Sequence, residues 1–165
     1  MANGSTRRRM LFLSQTMPFP PDGGVQIRTF NVMRLLAREF DITALCFYRR
    51  SERRTEQEVL DGLAGLAPFG DIEAFRIPQE HNVGRLAVDH LRSLAARRAY
   101  TIFAYHSSSF ARRLHELLRT RTFDVVHMDS LDLAGYLPDV HGLPVVCVHH
   151  NVESSLLRTP GLGRR

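Results

Sequence analysis

A short apolar run that ends in a proline-rich loop and continues as an amphipathic helix constrains the fold of this chain more than any other feature. The run, Met10 to Gln15, predicts a buried strand, because its length suits a strand that is covered on both faces. Three prolines then interrupt regular structure, and Asp22-Gly23-Gly24 offers a cap and a glycine turn. Apolar residues recur at helical spacing from Val25 to Phe40. This order predicts the opening unit of a nucleotide-type α/β domain.

The start of this first helix is a candidate anion site. The first N–H groups of a helix have no partner within the helix and lie at the positive end of its dipole. Gly23 and Gly24 would let a ligand approach these groups closely. The same two glycines also suit a plain helix-entry turn, and the local sequence does not separate the two interpretations.

Further strands and helices alternate along the rest of the chain. We expect a helix over Glu52–Leu66 that is capped by Ser51, with Val59, Leu60, Leu63 and Leu66 buried. Two more helices are predicted between Val83 and Leu118, divided at Tyr105 to Ser109, where serines favour a cap. The remaining predictions are strands at Asp41–Tyr48, Ile72–Pro78, Phe123–Met128 and Leu143–His149, a short helix at Leu131–Leu137, and a last helix that opens at Asn151 or Ser154.

Five strands alternating with helices predict an α/β fold, a three-layer Rossmann-like parallel sheet with the strand order 3-2-1-4-5. We expect one domain over residues 10–165, preceded by a disordered basic lead-in over residues 1–9. Ligands of such sheets bind beyond the carboxyl ends of the strands. That rule selects the loops Pro18 to Gly24, His127 to Ser130 and His149 to Glu153.

Composition is that of an ordinary globular domain with a basic surface. The 165 residues are 44% hydrophobic and carry a formal charge of +5, and all 22 basic residues are arginine. Cys46 and Cys147 lie in apolar runs, which predicts two buried thiols in a reducing cytosol. No run reaches the roughly 20 apolar residues of a membrane span. We therefore expect a cytoplasmic protein whose membrane contact, if it has one, is peripheral.

Three stretches in order resemble the N-terminal domain of the retaining GT-B glycosyltransferases of family four, the "group one" class. They are Pro20-Pro21-Asp22-Gly23-Gly24 leading into Arg28-Thr29-Phe30-Asn31, then Phe123-Asp124-Val125-Val126-His127, and then His150-Asn151-Val152-Glu153-Ser154. The resemblance extends from Met10 to Leu157. It implies one half of a two-domain GT-B enzyme, the half that takes the sugar acceptor, which is a glycan, lipid-linked or small-molecule compound. The donor half of such an enzyme would be absent.

The resemblance also implies roles for particular residues. Gly23 and Gly24 match the loop that faces the donor diphosphate, and the nucleotide sugar is a substrate, so no cofactor is expected. The family often carries a His-x-His pair after the fourth strand, and here Asp129 replaces the second histidine. Either that role has moved, or Asp129 accepts a proton from an acceptor hydroxyl. The catalytic candidates are Asp129, His127 and His150, and the donor- or acceptor-binding candidates are Gly23, Gly24, Arg28, His149, Asn151 and Glu153.

A dinucleotide-dependent oxidoreductase is the first alternative. Such a domain requires three glycines in the G-x-G-x-x-G turn and usually has an acidic residue after the second strand. This chain has two adjacent glycines and Arg49-Arg50 at those places. The glycine spacing argues against this alternative.

A non-catalytic module that binds anions or a membrane surface is the second alternative. The predicted helices after Val83 are rich in arginine, which suits acidic lipid headgroups, although a solvated helix face explains the same pattern. No nucleic-acid-binding signature accompanies the charge, so we expect no nucleic acid partner. A metal site formed by His127, Asp129, His149 and His150 is disfavoured, and no metal is expected.

Overall fold

The computed structural model describes residues 7–49, 56–78, 83–97 and 100–148. The sequence predictions that lie outside these residues are the lead-in over residues 1–6, the Ser51 cap with residues 52–55 of its helix, the loop over residues 149–153 and the last helix.

Five strands and five α-helices are described, together with two 3-10 segments. The strands are β1 Arg8–Ser14, β2 Phe40–Tyr48, β3 Gly70–Arg76, β4 Val125–Met128 and β5 Val145–Cys147. The α-helices are α1 Gly24–Leu36, α2 Glu56–Leu66, α3 Val83–Ala96, α4 Tyr100–Ala104 and α5 Ser108–Thr120. The 3-10 segments are Ala67–Phe69 and Leu131–Val140, and the second replaces the short α-helix expected there.

All five strands are parallel and form one sheet in the order β3-β2-β1-β4-β5. The predicted strand order is therefore confirmed, and β3 is an edge strand as expected. The chain has the three-layer, Rossmann-like α/β fold that the alternation of elements predicts.

The central strand β1 contributes to both faces of the sheet, because its side chains alternate. Leu11 and Leu13 pack in a core with residues of α5 and the second 3-10 segment. Met10 and Phe12 point to the opposite core, with residues of α1 and α2. Each face of the sheet thus has its own helical layer, and burial on both sides explains the continuous apolar character of β1.

The predicted disordered lead-in is wrong for its last residues. β1 begins at Arg8, and Arg9 pairs with Asp41 in the register of β2. The Arg9 N–H donates a hydrogen bond to Asp124 Oδ2 at 2.7 Å, and the Arg7 side chain donates to the Phe40 carbonyl at 3.0 Å. Residues 7–9 therefore pair with partners across the sheet, which the basic run alone did not indicate.

The segment after β3 contains three described helices where two were expected, because α4 is a separate short helix before the serines. The predicted cap in this segment is confirmed, since Ser107 Oγ accepts a hydrogen bond from the Phe110 N–H at 3.4 Å. Leu60 was expected in the core and is exposed on α2, where Gly62 and Leu66 are the buried residues.

The two cysteines differ in their surroundings. Cys46 is fully buried near the carboxyl end of β2, and burial raises the pKa of its thiol. Cys147 is exposed, so the prediction of a second buried thiol is wrong. The reason is its place in the sheet, because β5 is a short edge strand that the described residues leave exposed along its length.

Candidate functional site

The loops that follow β1 and β4 meet at one edge of the sheet. These strands are parallel neighbours, with Leu13 opposite Met128, and the Asp129 N–H donates a hydrogen bond to the Leu13 carbonyl at 2.9 Å. The prediction that these two loops share the carboxyl-end rim is confirmed. Val148, the residue after β5, lies beside the end of β4, because its N–H donates a hydrogen bond to the Met128 carbonyl.

Helix α1 begins at this rim without a side-chain cap. Gly23 occupies the cap position in an extended conformation, and the first helical hydrogen bond runs from the Ile27 N–H to the Gly23 carbonyl at 2.8 Å. Asp22 was expected to act as the cap, but it precedes the cap position and is exposed. The N–H groups of the first turn are therefore not bonded by a cap side chain, which leaves them available to an anion.

The two glycines at this helix start are not required by packing within the described residues. A Cβ atom at Gly24 would meet nothing within 4 Å. A Cβ atom at Gly23 would meet only the side chain of Gln26, which is long enough to move away. Space is thus left open directly in front of the helix.

A buried carboxylate joins the two loops of the rim. Asp129 is 0% exposed and follows β4. Its Oδ2 atom accepts a hydrogen bond from Thr29 Oγ1 at 2.6 Å, and its Oδ1 atom accepts one from Arg28 Nη2 at 2.8 Å. Ser14 Oγ at the end of β1 lies 3.4 Å from Oδ2. One carboxylate therefore ties α1 to the ends of β1 and β4.

Asp129 is held in its ionised form. Burial acts to raise the pKa of the carboxyl, but the neighbouring His127, the Thr29 hydroxyl and the Arg28 guanidinium together hold the pKa below its ordinary value. A general base must reach the proton that it abstracts. In this arrangement the carboxylate faces Arg28 and Thr29, which gives it a positioning role, and its role as a general base stays a prediction.

His127 lies two residues before Asp129 and therefore on the same face of the sheet. Its ring is 6% exposed and stacks on Phe12, with 4.5 Å between ring centroids and 14° between ring planes. Its Nε2 atom lies 3.9 Å from Asp129 Oδ1, beyond hydrogen-bond distance, and has no hydrogen-bond partner among the described residues. A buried polar atom of this kind leaves room for one further hydrogen-bonding group, such as a water or a ligand atom, beside Asp129.

Arg28 is the exposed end of this cluster. It lies one helical turn after Gly24, its side chain is 35% exposed, and Asp129 fixes one edge of its guanidinium. A positioned cation therefore stands beside the uncapped helix start. This pairing of charge and N–H groups suits a phosphate or diphosphate.

A cleft of about 730 Å³ opens on the other side of the α1 start, beyond the ends of β2 and β3. The loop after β1 forms one wall and α2 forms another. Its lining combines aromatic rings with carboxylate, amide and guanidinium groups, including Phe19, Asp22, Gln26, Arg49, Glu58, Asp61 and Tyr105. Such a lining suits a polyhydroxylated molecule.

The wall of this cleft rests on glycines of α2. A Cβ atom at Gly62 would lie 2.6 Å from the Met17 side chain and 3.1 Å from the Phe19 carbonyl. One turn later, a Cβ atom at Gly65 would lie 2.7 Å from the Phe19 ring. The loop therefore packs directly against the helix backbone.

Four of the predicted site residues, His149, His150, Asn151 and Glu153, lie outside the described residues. The structure brings Gly23, Gly24, Arg28, His127 and Asp129 to one rim. Over the part of the chain that is described, no group of three or more potential metal ligands is found. No described helix is long and apolar enough to cross a membrane.

Sequence reasoning selected the loop Pro18 to Gly24, which forms one wall of the cleft, and missed the residues of the other walls. Arg49 follows β2 at its carboxyl end, so the rule for ligand loops would have selected it. Asp61 is in the middle of a helix, and only its tertiary neighbours place it in the cleft. Thr29 and Ser14 are ordinary polar residues whose contact with Asp129 has no local signal.

Comparison with known proteins does not identify a family for this chain, because no family model and no curated protein matches it.

Proposed function

We propose that this chain is the acceptor-side domain of a nucleotide-sugar-dependent glycosyltransferase. The observation that carries the proposal is the contact between Arg28 and Asp129, which sets a cation beside the uncapped start of α1 at the rim of a Rossmann-like sheet. The sequence resemblance supplies the class of enzyme. The chemistry of the rim supports it, because a sugar donor carries a diphosphate that needs positive charge and N–H donors.

The donor diphosphate lies against Gly23 and Gly24 in this proposal. Because a side chain at Gly24 would occupy open space, the glycine leaves the helix N–H groups accessible to phosphate oxygens. Arg28 contributes a guanidinium that Asp129 has already oriented, so less freedom is lost on binding.

The sugar acceptor occupies the cleft. Asp22, Asp61 and Gln26 offer groups that bond hydroxyls, and Phe19 and Tyr105 offer ring faces for the apolar side of a sugar. His127, Asp129 and His150 remain the catalytic candidates that the sequence resemblance implies. His127 and Asp129 lie beside the cleft and not in its lining, so they act on the acceptor in this proposal only if its reacting hydroxyl extends past the start of α1 toward the end of β4. A cytoplasmic location accords with the exposed thiol of Cys147.

The test is calorimetric titration of the chain with UDP-, GDP- and ADP-sugars. We expect binding on the order of millimolar, because most nucleotide and sugar contacts belong to the donor half of such enzymes. Arg28→Ala and Gly24→Val should each abolish this binding. Arg34→Ala is the matched control, since Arg34 is exposed on the same helix and pairs with Asn31 away from Asp129.

Three outcomes would contradict the proposal. Tight binding of a nicotinamide dinucleotide would favour the oxidoreductase alternative. Sugar transfer by this chain alone would show that it is more than an acceptor-side domain, because transfer in such enzymes requires closure between two halves. Equal donor binding by wild type and Gly24→Val would show that the diphosphate does not bind at the start of α1.

A further inference from the structure

Helix α3 presents its apolar side to solvent and its polar side to the protein. Asp89 is 2% exposed, and Arg85 and Ser93, one turn to either side, are half-buried. The most exposed side chains of the helix are Leu94 at 77% and Leu91 at 66%. A helix on the surface of a globular protein normally has the opposite arrangement.

Contacts of the buried polar side fix this orientation. Arg85 and Asp89 form an ion pair at 3.4 Å within the helix, and Arg85 Nη2 donates a hydrogen bond to the His106 carbonyl at 2.9 Å. Rotating the helix to bury its leucines would break the hydrogen bond to the His106 carbonyl and bring the Asp89 carboxylate into solvent. The outward apolar face is therefore a stable feature of the fold.

This face concentrates the exposed apolar side chains of the described residues. Four of their twelve exposed large apolar side chains lie on α3: Leu86, Val88, Leu91 and Leu94. On an ideal helix, these four side chains and Ala87 fall within one broad stripe, which also contains the exposed His90 between Leu86 and Leu94. A mainly apolar surface of this kind marks an interaction site rather than ordinary surface variation.

The charge around the apolar face has one sign. Arg92 is exposed beside the stripe, and Arg97 is exposed immediately after the helix. Asp89 is the acidic residue of α3, and it is buried against Arg85. An exposed apolar stripe flanked by arginine and lacking exposed carboxylates fits the interface of an anionic bilayer, where leucines enter the acyl region and arginines meet phosphates.

Two further arginines of this segment, Arg113 and Arg121, contribute less to such an interaction. Arg113 is engaged by Glu73 at 2.7 Å, and Arg121 is engaged by Asp71 at 2.8 Å. Each of these guanidinium groups is held by a carboxylate of β3 and is therefore less free to reach a lipid phosphate. The leucines, with Arg92 and Arg97, distinguish the α3 face from a merely basic surface.

We propose that α3 lies in the plane of an anionic lipid bilayer and binds it through Leu86, Val88, Leu91 and Leu94. At 14 residues the helix is about 21 Å long, too short to span the roughly 30 Å hydrocarbon core, so it lies along the surface. This inference does not rest on the proposed glycosyl transfer, because no residue of the α3 face belongs to the rim or the cleft.

The experiment is co-sedimentation of the chain with vesicles of phosphatidylcholine alone and of an equimolar mixture with phosphatidylglycerol. We expect binding to the mixed vesicles and at least roughly tenfold weaker partitioning for the double variant Leu91→Gln, Leu94→Gln. Leu35→Gln, Leu60→Gln is the matched control, since both leucines are more than half exposed on α1 and α2. The control should bind like wild type. Thermal unfolding verifies that both variants are folded.

Charge is tested separately with Arg92→Glu, Arg97→Glu against Arg34→Glu, Arg38→Glu, a pair of exposed arginines in the last turn of α1 and just after it. Weaker binding of only the first pair to mixed vesicles supports the proposal. Wild type that fails to sediment with mixed vesicles overturns it. Self-association of the wild type that is lost in the Leu91→Gln, Leu94→Gln variant also overturns it, because the face would then bind a second copy of the chain.

Discussion

Asp129 illustrates how a carboxylate at the rim serves structure and charge together. Its two oxygen atoms accept hydrogen bonds from side chains of α1 and β1. The bond from Arg28 fixes the guanidinium at the rim. The cation at the predicted diphosphate site therefore depends on a residue that solvent does not reach. Substitutions at Asp129 should act on stability and on anion binding at once.

Asp129→Asn is expected to lower the free energy of unfolding at pH 7 by roughly 2 kcal/mol, since hydrogen bonds to a charged group are lost. Because the pKa of Asp129 is lowered in the folded state, its contribution is complete above the pKa of the unfolded carboxyl, about 4, and is lost as the pH falls through the folded value. Urea unfolding from pH 7 down to pH 3 measures it. The difference between wild type and variant should shrink at the acid end, and a constant difference would contradict this assignment.

Gly24→Ala should change stability and binding in opposite directions. Alanine fits the space at this helix start and restricts the unfolded chain, so the free energy of unfolding should rise by about 0.5 kcal/mol. Donor binding should weaken, because the methyl group stands where the diphosphate is proposed to lie. Thermal unfolding and calorimetry on the same sample measure both effects. A gain in both would show that the glycine has no role in binding.

At the scale of elements, one ion pair connects α5 to the edge strand β3. Arg113 donates two hydrogen bonds to Glu73 Oε1, one from Nε and one from Nη2, and a third from Nε to Oε2, and it also pairs with Glu116 on its own helix. These contacts hold α5 against the edge strand of the sheet. Arg112, the next residue back, is exposed.

Arg113→Ala should therefore lower the free energy of unfolding by about 1 kcal/mol, as expected for a partly exposed ion pair of good geometry. Arg112→Ala should change it by less than about 0.5 kcal/mol. Chemical denaturation compares the two. A double-mutant cycle with Glu73→Ala assigns the loss to the pair, and equal effects of the two arginine variants would show that the contact stabilises nothing.

The order of elements was predictable because each strand is short, apolar and followed by a break in the chain. The run from Met10 and the prolines after it gave β1 and its loop, and parallel connection then gave the strand order. The orientation of α3 was not predictable, since apolar periodicity shows that a helix has a stripe but not which way the stripe faces. The exposure of Leu60 and Cys147 has the same origin, because burial depends on which elements cover a position.

The site was predictable to the extent that topology places it. The rule for ligand loops and the resemblance together predicted five residues that the structure brings to one rim: Gly23, Gly24, Arg28, His127 and Asp129. Which atoms of Asp129 are occupied was not predictable, because Thr29 and Ser14 carry no signal of their own. Long-range hydrogen bonds of this kind follow from packing, not from local pattern.

For the whole molecule, salt should separate two kinds of surface binding. The formal charge is +5, so the chain is attracted to any anionic surface at low ionic strength. Raising NaCl from about 0.1 M to 1 M shortens the screening length from about 10 Å to 3 Å. Binding to mixed vesicles should weaken severalfold yet persist, since the leucines of α3 are insensitive to screening. Complete release at high salt, measured by co-sedimentation, would mean that charge alone holds the protein.

Two glycines of α2, Gly62 and Gly65, determine how closely the loop after β1 approaches the helix. Met17 packs against Gly62, and Phe19 packs against Gly65. A methyl group added at either glycine would push the loop after β1 away from α2. The methyl group at Gly65 would lie behind Phe19 and outside the lining of the cleft. A substitution at Gly65 should therefore change the width of the cleft, and with it the size of ligand that fits, although Gly65 itself does not line the cleft.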